Sequence, residues 1–290
     1  MLNNIIKTLL CCPKCRGKLS VEGNRIFCAI CREDVLVDNR YIDFDKLTPQ
    51  LHLSLDTKVQ EITEYAGAVM KDIKTDWRIA AVLEDIRENA KGSVCLEIGG
   101  ADGPMTPTLE HLFDTTMSLD YSRHFLKRIQ KKTERAICIY ANAHFLPIQD
   151  NVLDMIICCE VLEHSTIPTQ LLTELRRTIR KNGVIILSVP NEQVLCHRKQ
   201  LSRYEYSHAG DTHINFFTPY SLERLLFRTG LEIVSMKTIY PPIHSIKGFF
   251  DNIKNSVKKS FTGNFIVCIL RPMENPWIYW DMFSKNIKTK

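Results

Sequence analysis

The 290-residue chain contains no run of about eighteen uninterrupted apolar residues, so no membrane-spanning helix is expected. Charge of one sign is not in large excess either. The net charge of +5 is too small, by itself, to point to a nucleic-acid partner. Internal repeats and low-complexity tracts are absent. The apolar stretch near the N-terminus has no small-residue cleavage site and runs directly into cysteines, which argues against a secretory leader. The eleven cysteines do not form the evenly distributed pattern of a secreted disulfide framework. Cys95, Cys138, Cys158 and Cys268 sit in apolar, strand-like runs, where cysteine behaves as a small hydrophobe. A reducing, cytoplasmic location is the expectation that follows.

Four of the other cysteines have an informative spacing. Cys12-Pro-Lys-Cys15 and Cys28-Ala-Ile-Cys31 are two Cys-x-x-Cys knuckles. Each is a tight turn aiming two sulfurs at one point, and together they can close a tetrahedral Zn²⁺ site. The intervening Lys18–Phe27 stretch reads as a hairpin turning at Gly23-Asn24. A module over residues 1–45 can bury little core, so a structural zinc ion would supply most of its stability. Cys11 is out of register with both knuckles. The stretch from Leu9 to Leu19, continued to Arg40-Tyr-Ile-Asp-Phe44, resembles the zinc ribbon of small methyltransferase activator proteins. That resemblance implies a strand leaving the ribbon at residues 40–44. A ribbon can bind protein, bind nucleic acid or brace its neighbour, and the sequence leaves these open.

Residues 46–75 are polar and read as a linker. From residue 76 to 290 the pattern changes to one large domain. Strand-like segments at 94–98, 115–119, 136–140, 155–159, 184–189, 231–240 and 265–270 alternate, for the first five, with helix-like segments. The better helices are at 76–89, 122–132, 168–181 and 219–229. Strands separated by helices predict an α/β class: a doubly wound, mostly parallel, seven-stranded Rossmann-like sheet, with a last strand free to run antiparallel. Ligands of such sheets bind at the carboxyl ends of the strands. There the first strand ends Glu97-Ile-Gly99-Gly-Ala101-Asp-Gly103-Pro104, a turn of small residues that lets a ligand approach backbone. The second ends at Asp120-Tyr121, where a carboxylate can accept hydrogen bonds from both ribose hydroxyls.

The turn lacks the complete Gly-x-Gly-x-x-Gly of a dinucleotide enzyme. The region from 93 to 235 instead resembles class I S-adenosylmethionine-dependent methyltransferases of small-molecule type, similar to the type 11 group. Glu97, Gly99 and Gly103 match the family's first motif, with Ala101 in place of its middle glycine. The run from Ala141-Asn142-Ala143 through Leu146-Pro to Cys159-Glu160-Val-Leu-Glu-His164 carries the stronger match, and 213–233 extends it. The resemblance implies that S-adenosyl-L-methionine is the cofactor, with Glu97 and Gly99 at the methionine end and Ala101 and Gly103 in the cofactor turn. Asp120 would lie on the ribose, Tyr121 against the adenine face, and Asn142 and Ala143 at its edge. An amide oxygen of Asn142 would accept from the adenine amino group. Cys159 and Glu160 would face the methyl group or acceptor.

Transfer of a methyl from a sulfonium is an in-line displacement that mainly requires alignment. An acceptor hydroxyl or amine also needs somewhere to send its proton, and His164, His208 and His213 are the candidate bases. The expected acceptor is a small molecule (a sugar, a lipid-linked intermediate or a secondary metabolite) methylated on O, N or C. One alternative is an RNA methyltransferase using the ribbon's Lys14, Arg16, Lys18, Arg25 and Arg32 as a basic patch, although the aromatic residues that stack on unpaired bases are missing there. The other is a non-catalytic scaffold, kept open by Ala101 and Asn142. In the tail at 241–290, residues 244–261 form a basic amphipathic pattern. It would cover the sheet edge or the cleft, or lie on an anionic membrane as a peripheral contact. Oligomeric state has no sequence signal.

Overall fold

The structure, a computed structural model, describes residues 2–23, 25–49, 77–192, 213–239 and 265–274. The first element is helix α1 (Leu2–Leu9), which buries Ile5, Ile6 and Leu9 on one face. The first knuckle follows, then β1 (Leu19–Glu22) and β2 (Arg25–Cys28), antiparallel in the register Leu19↔Cys28 to Glu22↔Arg25. Gly23, at φ +58, supplies the left-handed backbone that this two-residue turn demands. The second knuckle leads to β3 (Asp34–Asp38) and β4 (Tyr41–Asp43), another antiparallel pair, turned through Asn39 at φ 53.

The larger part opens with α2 (Trp77–Asn89). In chain order it continues with β5 (Val94–Ile98), α3 (Thr106–Leu112), β6 (Thr115–Asp120), α4 (Arg123–Lys132), β7 (Ile137–Tyr140) and β8 (Leu153–Cys159). Then come α5 (Pro168–Thr178), β9 (Ile179–Pro190), α6 (Pro219–Arg228), β10 (Leu231–Ile239) and β11 (Phe265–Pro272). β5 to β8 are parallel and covered by helices, which explains their unbroken apolar runs; Val94–Ile98 and Ile137–Tyr140 are buried at every position. β11 lies between β9 and β10 and runs antiparallel to both. Chain order reverses between β5 and β8, so their carboxyl ends flank the switch point where ligands of this architecture bind.

Two local expectations are adjusted. The helix expected to reach residue 181 stops at Thr178, and β9 begins at once, with a register irregularity opposite Leu153 and Met155. The helix whose first turn Pro104 suits is the short α3, which starts two residues later at Thr106 and carries Pro107 in its first turn, where proline's fixed φ suits a position whose N–H is unbonded anyway.

The sheet does not end at seven strands. β4 pairs in parallel with β7, Ile42 opposite Ile139, and the whole order is β1-β2-β3-β4-β7-β6-β5-β8-β9-β11-β10. The ribbon is thus continuous with the large sheet. Ile42, Phe44, Leu47, Ile6 and Leu10 are nearly fully buried and share one core with Leu96, Leu119 and Ile139. Burying each such side chain contributes roughly 1.5–3 kcal/mol, so this seam is a structural joint. Arg40 fastens it by donating to the carbonyls of Ala136 (2.8 Å), Gln130 (3.0 Å) and Thr133 (2.9 Å). The linker at 46–75 is described only to residue 49, and the amphipathic 244–261 segment lies outside the described residues. Among the described residues, no helix is long and apolar enough to cross a membrane.

Candidate functional site

A cavity of about 220 Å³ opens at the carboxyl ends of β5, β6, β7 and β8. Its lining includes Gly99, Ala101, Asp120, Tyr121, Asn142, Ala143, Glu160 and His164, residues the sequence had singled out. Four strand ends supply these side chains together because parallel strands expose their loops at one edge.

The turn after β5 is tightly determined. Gly99 has φ +68, and a Cβ there would collide with Val161 Cγ2, so both conformation and space require glycine. Ala101 adopts φ 43, a left-handed conformation costly for a residue with a Cβ. Its N–H donates to Asp120 Oδ2 at 3.1 Å, and the Ser122 N–H donates to Oδ1 at 2.8 Å. The carboxylate is therefore held in place by backbone from both sides before any ligand arrives.

Glu97 and Gly103 lie behind the turn and do not line the cavity. Glu97 is 1% exposed and accepts from Thr106 Oγ1 (2.5 Å) and Ser118 Oγ (3.1 Å). Burial raises its pKa to about 7, against the pull of those two hydroxyls. Gly103 (φ +70) packs on Ile129 of α4. Cys159 also stays outside the lining; burial pushes its thiol up to about 12, which makes it an inert packing residue. His208 lies outside the described residues.

The aromatic wall has a source that the sequence did not suggest. Tyr121 stacks on Tyr140 with ring centroids 5.2 Å apart and planes 17° apart. The Arg123 guanidinium sits 3.8 Å from the centre of the Tyr140 ring. Arg123 is in turn gripped by Asp43 (3.0 Å), at the end of β4, and by Asp45 (2.9 Å). The ribbon thus reaches the cavity wall through one arginine and two tyrosines.

Asn142 caps a short turn at 143–145. Its Oδ1 accepts from the His144 N–H at 2.9 Å and faces His144 Nδ1 at 2.8 Å. Burial lowers the His144 pKa, so the ring is neutral; with Nδ1 donating to Asn142, Nε2 accepts from Ser165 Oγ at 2.7 Å. The side-chain oxygen of Asn142 is therefore engaged within its own turn, and the amide N–H₂ is left as the group to meet a ligand. In the expected role that oxygen would accept from an adenine amino group; in this structure it already has two partners. His144 and Ser165 were missed, since a histidine beside a capping residue has no spacing signature of its own.

The cavity ends at Glu160 and His164, with Glu163 and His213 behind its lining. Glu160, at φ 55, accepts from Ser188 Oγ at 2.8 Å and lies 3.8 Å from Arg78. Glu163 is 1% exposed, and burial, then the charge of Glu160, drives its carboxyl well above the usual range. His164 and His213 meet edge to face, ring centroids 4.8 Å apart.

In the ribbon, the sulfurs of Cys12, Cys15, Cys28 and Cys31 all lie within 4.8 Å of one another. Cys12–Cys31 is 4.0 Å and Cys15–Cys28 is 3.4 Å, bracketing the roughly 3.8 Å between thiolates on a tetrahedral zinc ion. The knuckles are near copies: Arg16 (φ 62) and Arg32 (φ 63) each follow a second cysteine in left-handed backbone, and Gly17 and Cys31 N–H groups donate to Cys15 and Cys28 sulfurs. The donor set fits zinc. Cys11 instead donates to the Ile148 carbonyl at 3.2 Å, outside the cluster.

The protein-family profile described as a methyltransferase domain matches residues 73–236. The chain belongs to that family. A Mycolicibacterium smegmatis protein named as a probable S-adenosylmethionine-dependent methyltransferase is 24% identical over 161 residues, covering 54% of this chain and 58% of its own length. The chain spans about half the length of the curated relatives it matches. Among solved structures, a chain of the complex between the Haloferax volcanii Trm112 methyltransferase activator and a methyltransferase aligns with a TM-score of 0.58 at 15% identity. The alignment covers 74% of this chain and 98% of that one. The Burkholderia thailandensis 1,6-didemethyltoxoflavin-N1-methyltransferase, with its substrate and S-adenosylhomocysteine bound, aligns with a TM-score of 0.55 at 15% identity, covering 88% of this chain and 98% of that one. At such identities these neighbours establish the methyltransferase-domain fold and no more.

Proposed function

We propose that the protein binds S-adenosyl-L-methionine in the cavity above β5, β6 and β7 and transfers its methyl group to a small-molecule acceptor entering beside His164. The carrying observation is Asp120: a carboxylate at the end of β6, fixed by the N–H groups of Ala101 and Ser122, faces the cavity between a glycine turn and Tyr121. Such a group pairs with the two ribose hydroxyls of an adenosine. Tyr121 supplies a face for the base, and the Asn142 amide and Ala143 backbone supply an edge. The methionine end would run along Gly99 and Ala101 toward Glu160 and His164. The departures at Ala101 and Asn142 do not collapse the site, since Ala101 still takes the left-handed turn and Asn142 still caps its strand end. That favours a catalyst over a scaffold. Arg16 and Arg25, from the basic set an RNA reader would use, are engaged by Glu174 (2.6 Å) and Asp34 (2.7 Å), which favours a small acceptor over RNA.

The ribbon, with zinc on its four cysteines, fits the role of an activator built into the chain. One structural neighbour assembles with a separate methyltransferase activator; here a module resembling such proteins extends the sheet at β7 and steadies the adenosine wall through Arg123. Calorimetric titration with S-adenosylmethionine and S-adenosylhomocysteine tests the cofactor assignment. Micromolar binding is expected, weakened about a hundredfold in Asp120→Ala, the scale of losing two charge-assisted hydrogen bonds. A zinc-loaded chain that binds neither compound would refute it.

A further inference from the structure

Beside the end of the cavity, where His164 lines the wall, lies a cluster that the proposed cofactor site does not use. Glu163 is 1% exposed, and among the described residues neither of its carboxylate oxygens has a hydrogen-bond partner. A carboxylate oxygen of Glu163 and one ring nitrogen each from His164 and His213 all lie within 4.8 Å of one another. Glu163 Oε1 is 3.9 Å from His164 Nε2. Chance proximity on a mobile surface does not describe this group, because the backbone builds it. The Glu163 carbonyl accepts from the N–H groups of Ile214 (2.9 Å) and Asn215 (3.0 Å), and Asn215 Nδ2 donates to the Ser165 carbonyl at 2.7 Å. Those bonds bring His213 onto His164 from a distant part of the chain.

We propose that Glu163, His164 and His213 bind one divalent transition-metal ion, whose open positions take a hydroxyl oxygen of the methyl acceptor. Two imidazoles and a carboxylate suit Mn²⁺, Fe²⁺, Co²⁺ or Zn²⁺ better than Mg²⁺ or Ca²⁺, which prefer all-oxygen shells. Neighbouring ligands on an octahedral ion sit roughly 3 Å apart, a contraction that rotation about the side-chain bonds supplies. An ionised carboxylate as buried as Glu163 needs a counter-charge, and the ion supplies one. Glu160 is one turn away but is occupied by Ser188 and Arg78, so three protein ligands leave room for acceptor oxygens.

What the ion does rests on the methyl-transfer reading; that it binds does not. A coordinated hydroxyl gives its proton to water more readily. Its oxygen forms the new O–C bond as the C–S bond breaks, and that bond's electron pair returns to sulfur, leaving a neutral thioether. His164 and His213 hold the ion in this scheme and do not shuttle the proton. An acceptor with two adjacent hydroxyls, able to chelate, is the favoured class.

The test uses the full-length, zinc-loaded chain titrated with Mn²⁺ and followed by electron paramagnetic resonance. One Mn²⁺ per chain is expected in addition to the retained zinc, bound at least tenfold more weakly in Glu163→Gln and in His213→Ala. Mn²⁺ should raise the wild-type melting temperature and leave that of Glu163→Gln unchanged. Each variant should keep its affinity for S-adenosylhomocysteine within about twofold, which shows that the fold survives. A chain that binds S-adenosylhomocysteine but neither Mn²⁺ nor Co²⁺, or a Glu163→Gln variant that binds Mn²⁺ as well as wild type, overturns the proposal. A chain that binds Mn²⁺ through these residues but no cofactor supports the metal site and removes the methyl-transfer reading.

Discussion

The two ends of one cavity are built in opposite ways. At the end proposed to hold adenosine the polar groups are secured by the protein itself: Asp120 by two backbone N–H groups, Asn142 by His144, and Tyr121 by a stack that leads back to Asp43 and Asp45 of the ribbon. Beside the end proposed for the acceptor, Glu163 is buried next to two imidazoles without a hydrogen-bond partner among the described residues. The first arrangement is what recognition of a fixed ligand calls for, since groups already in place lose little freedom on binding. The second stores an unmet demand that only an additional ligand or a proton can satisfy. The lesson is that satisfied and unsatisfied polar groups, mapped along a cleft, separate a standing binding surface from a site awaiting its reactant.

Loosening the wall of the proposed adenosine site should cost the most. Cys28→Ser should abolish zinc binding at the proposed four-cysteine site and, with it, several kcal/mol of folding stability in the ribbon. Melting should shift down by calorimetry and zinc content should fall by atomic absorption; an unshifted melt would mean that the seam with β7, and not the metal, holds the module.

Next in size is a pH effect at Glu97, the adenosine end's own imperfectly satisfied group. Its folded pKa is raised to about 7 by burial. Below its unfolded value the carboxyl is protonated in both states, and the favourable contribution is complete. As pH rises through about 7 that contribution is lost, because the unfolded chain gives up its proton first. Glu97→Gln cannot ionise, so its stability relative to wild type should improve by about 3 kcal/mol between pH 4.5 and pH 8. Denaturant unfolding at several pH values measures this, and parallel curves would show that Glu97 is ionised at no unusual cost.

A smaller effect sharpens the comparison. Arg123→Met keeps the stem but releases Tyr140 from the ribbon's carboxylates, and cofactor affinity should fall about fivefold, on the order of 1 kcal/mol. The acceptor end should keep its Mn²⁺ affinity. Equal cofactor binding by titration would reduce the ribbon to a brace. The smallest change is Ala101→Gly. Relief of the left-handed strain and the greater freedom of glycine in the unfolded chain oppose each other, so a stabilisation of about 1 kcal/mol or less is expected, with cofactor affinity kept or improved. A loss of affinity would show that the alanine methyl is a ligand contact.

Much of this architecture was legible in the sequence. The strands from Val94 to Leu270 were apolar runs bounded by turn residues, and the motif at Glu97–Gly103, Asp120 and the Ala141–His164 run marked which loops meet at the cavity. Reading a motif did not separate its lining residues from its supports, however. Glu97, Gly103 and Cys159 stand behind Asp120 and Tyr121 because side-chain direction at a strand end depends on the turn's φ values and on what packs beneath. Asn142 was placed correctly at the cavity, but its oxygen could not be seen to be occupied by His144.

The features legible in the chain before folding are local. The knuckle spacing of Cys12, Cys15, Cys28 and Cys31, the alternation of strand and helix, and the glycine that Gly99 must be are all properties of a few consecutive residues and their allowed backbone angles. It takes the folded chain to show that β4 pairs with β7, that Arg123 carries the ribbon to the Tyr121–Tyr140 wall, and that His213 arrives at Glu163. Those contacts join residues far apart in the chain. They are selected by burial and by backbone hydrogen bonds between elements, neither of which leaves a periodic trace in either partner alone.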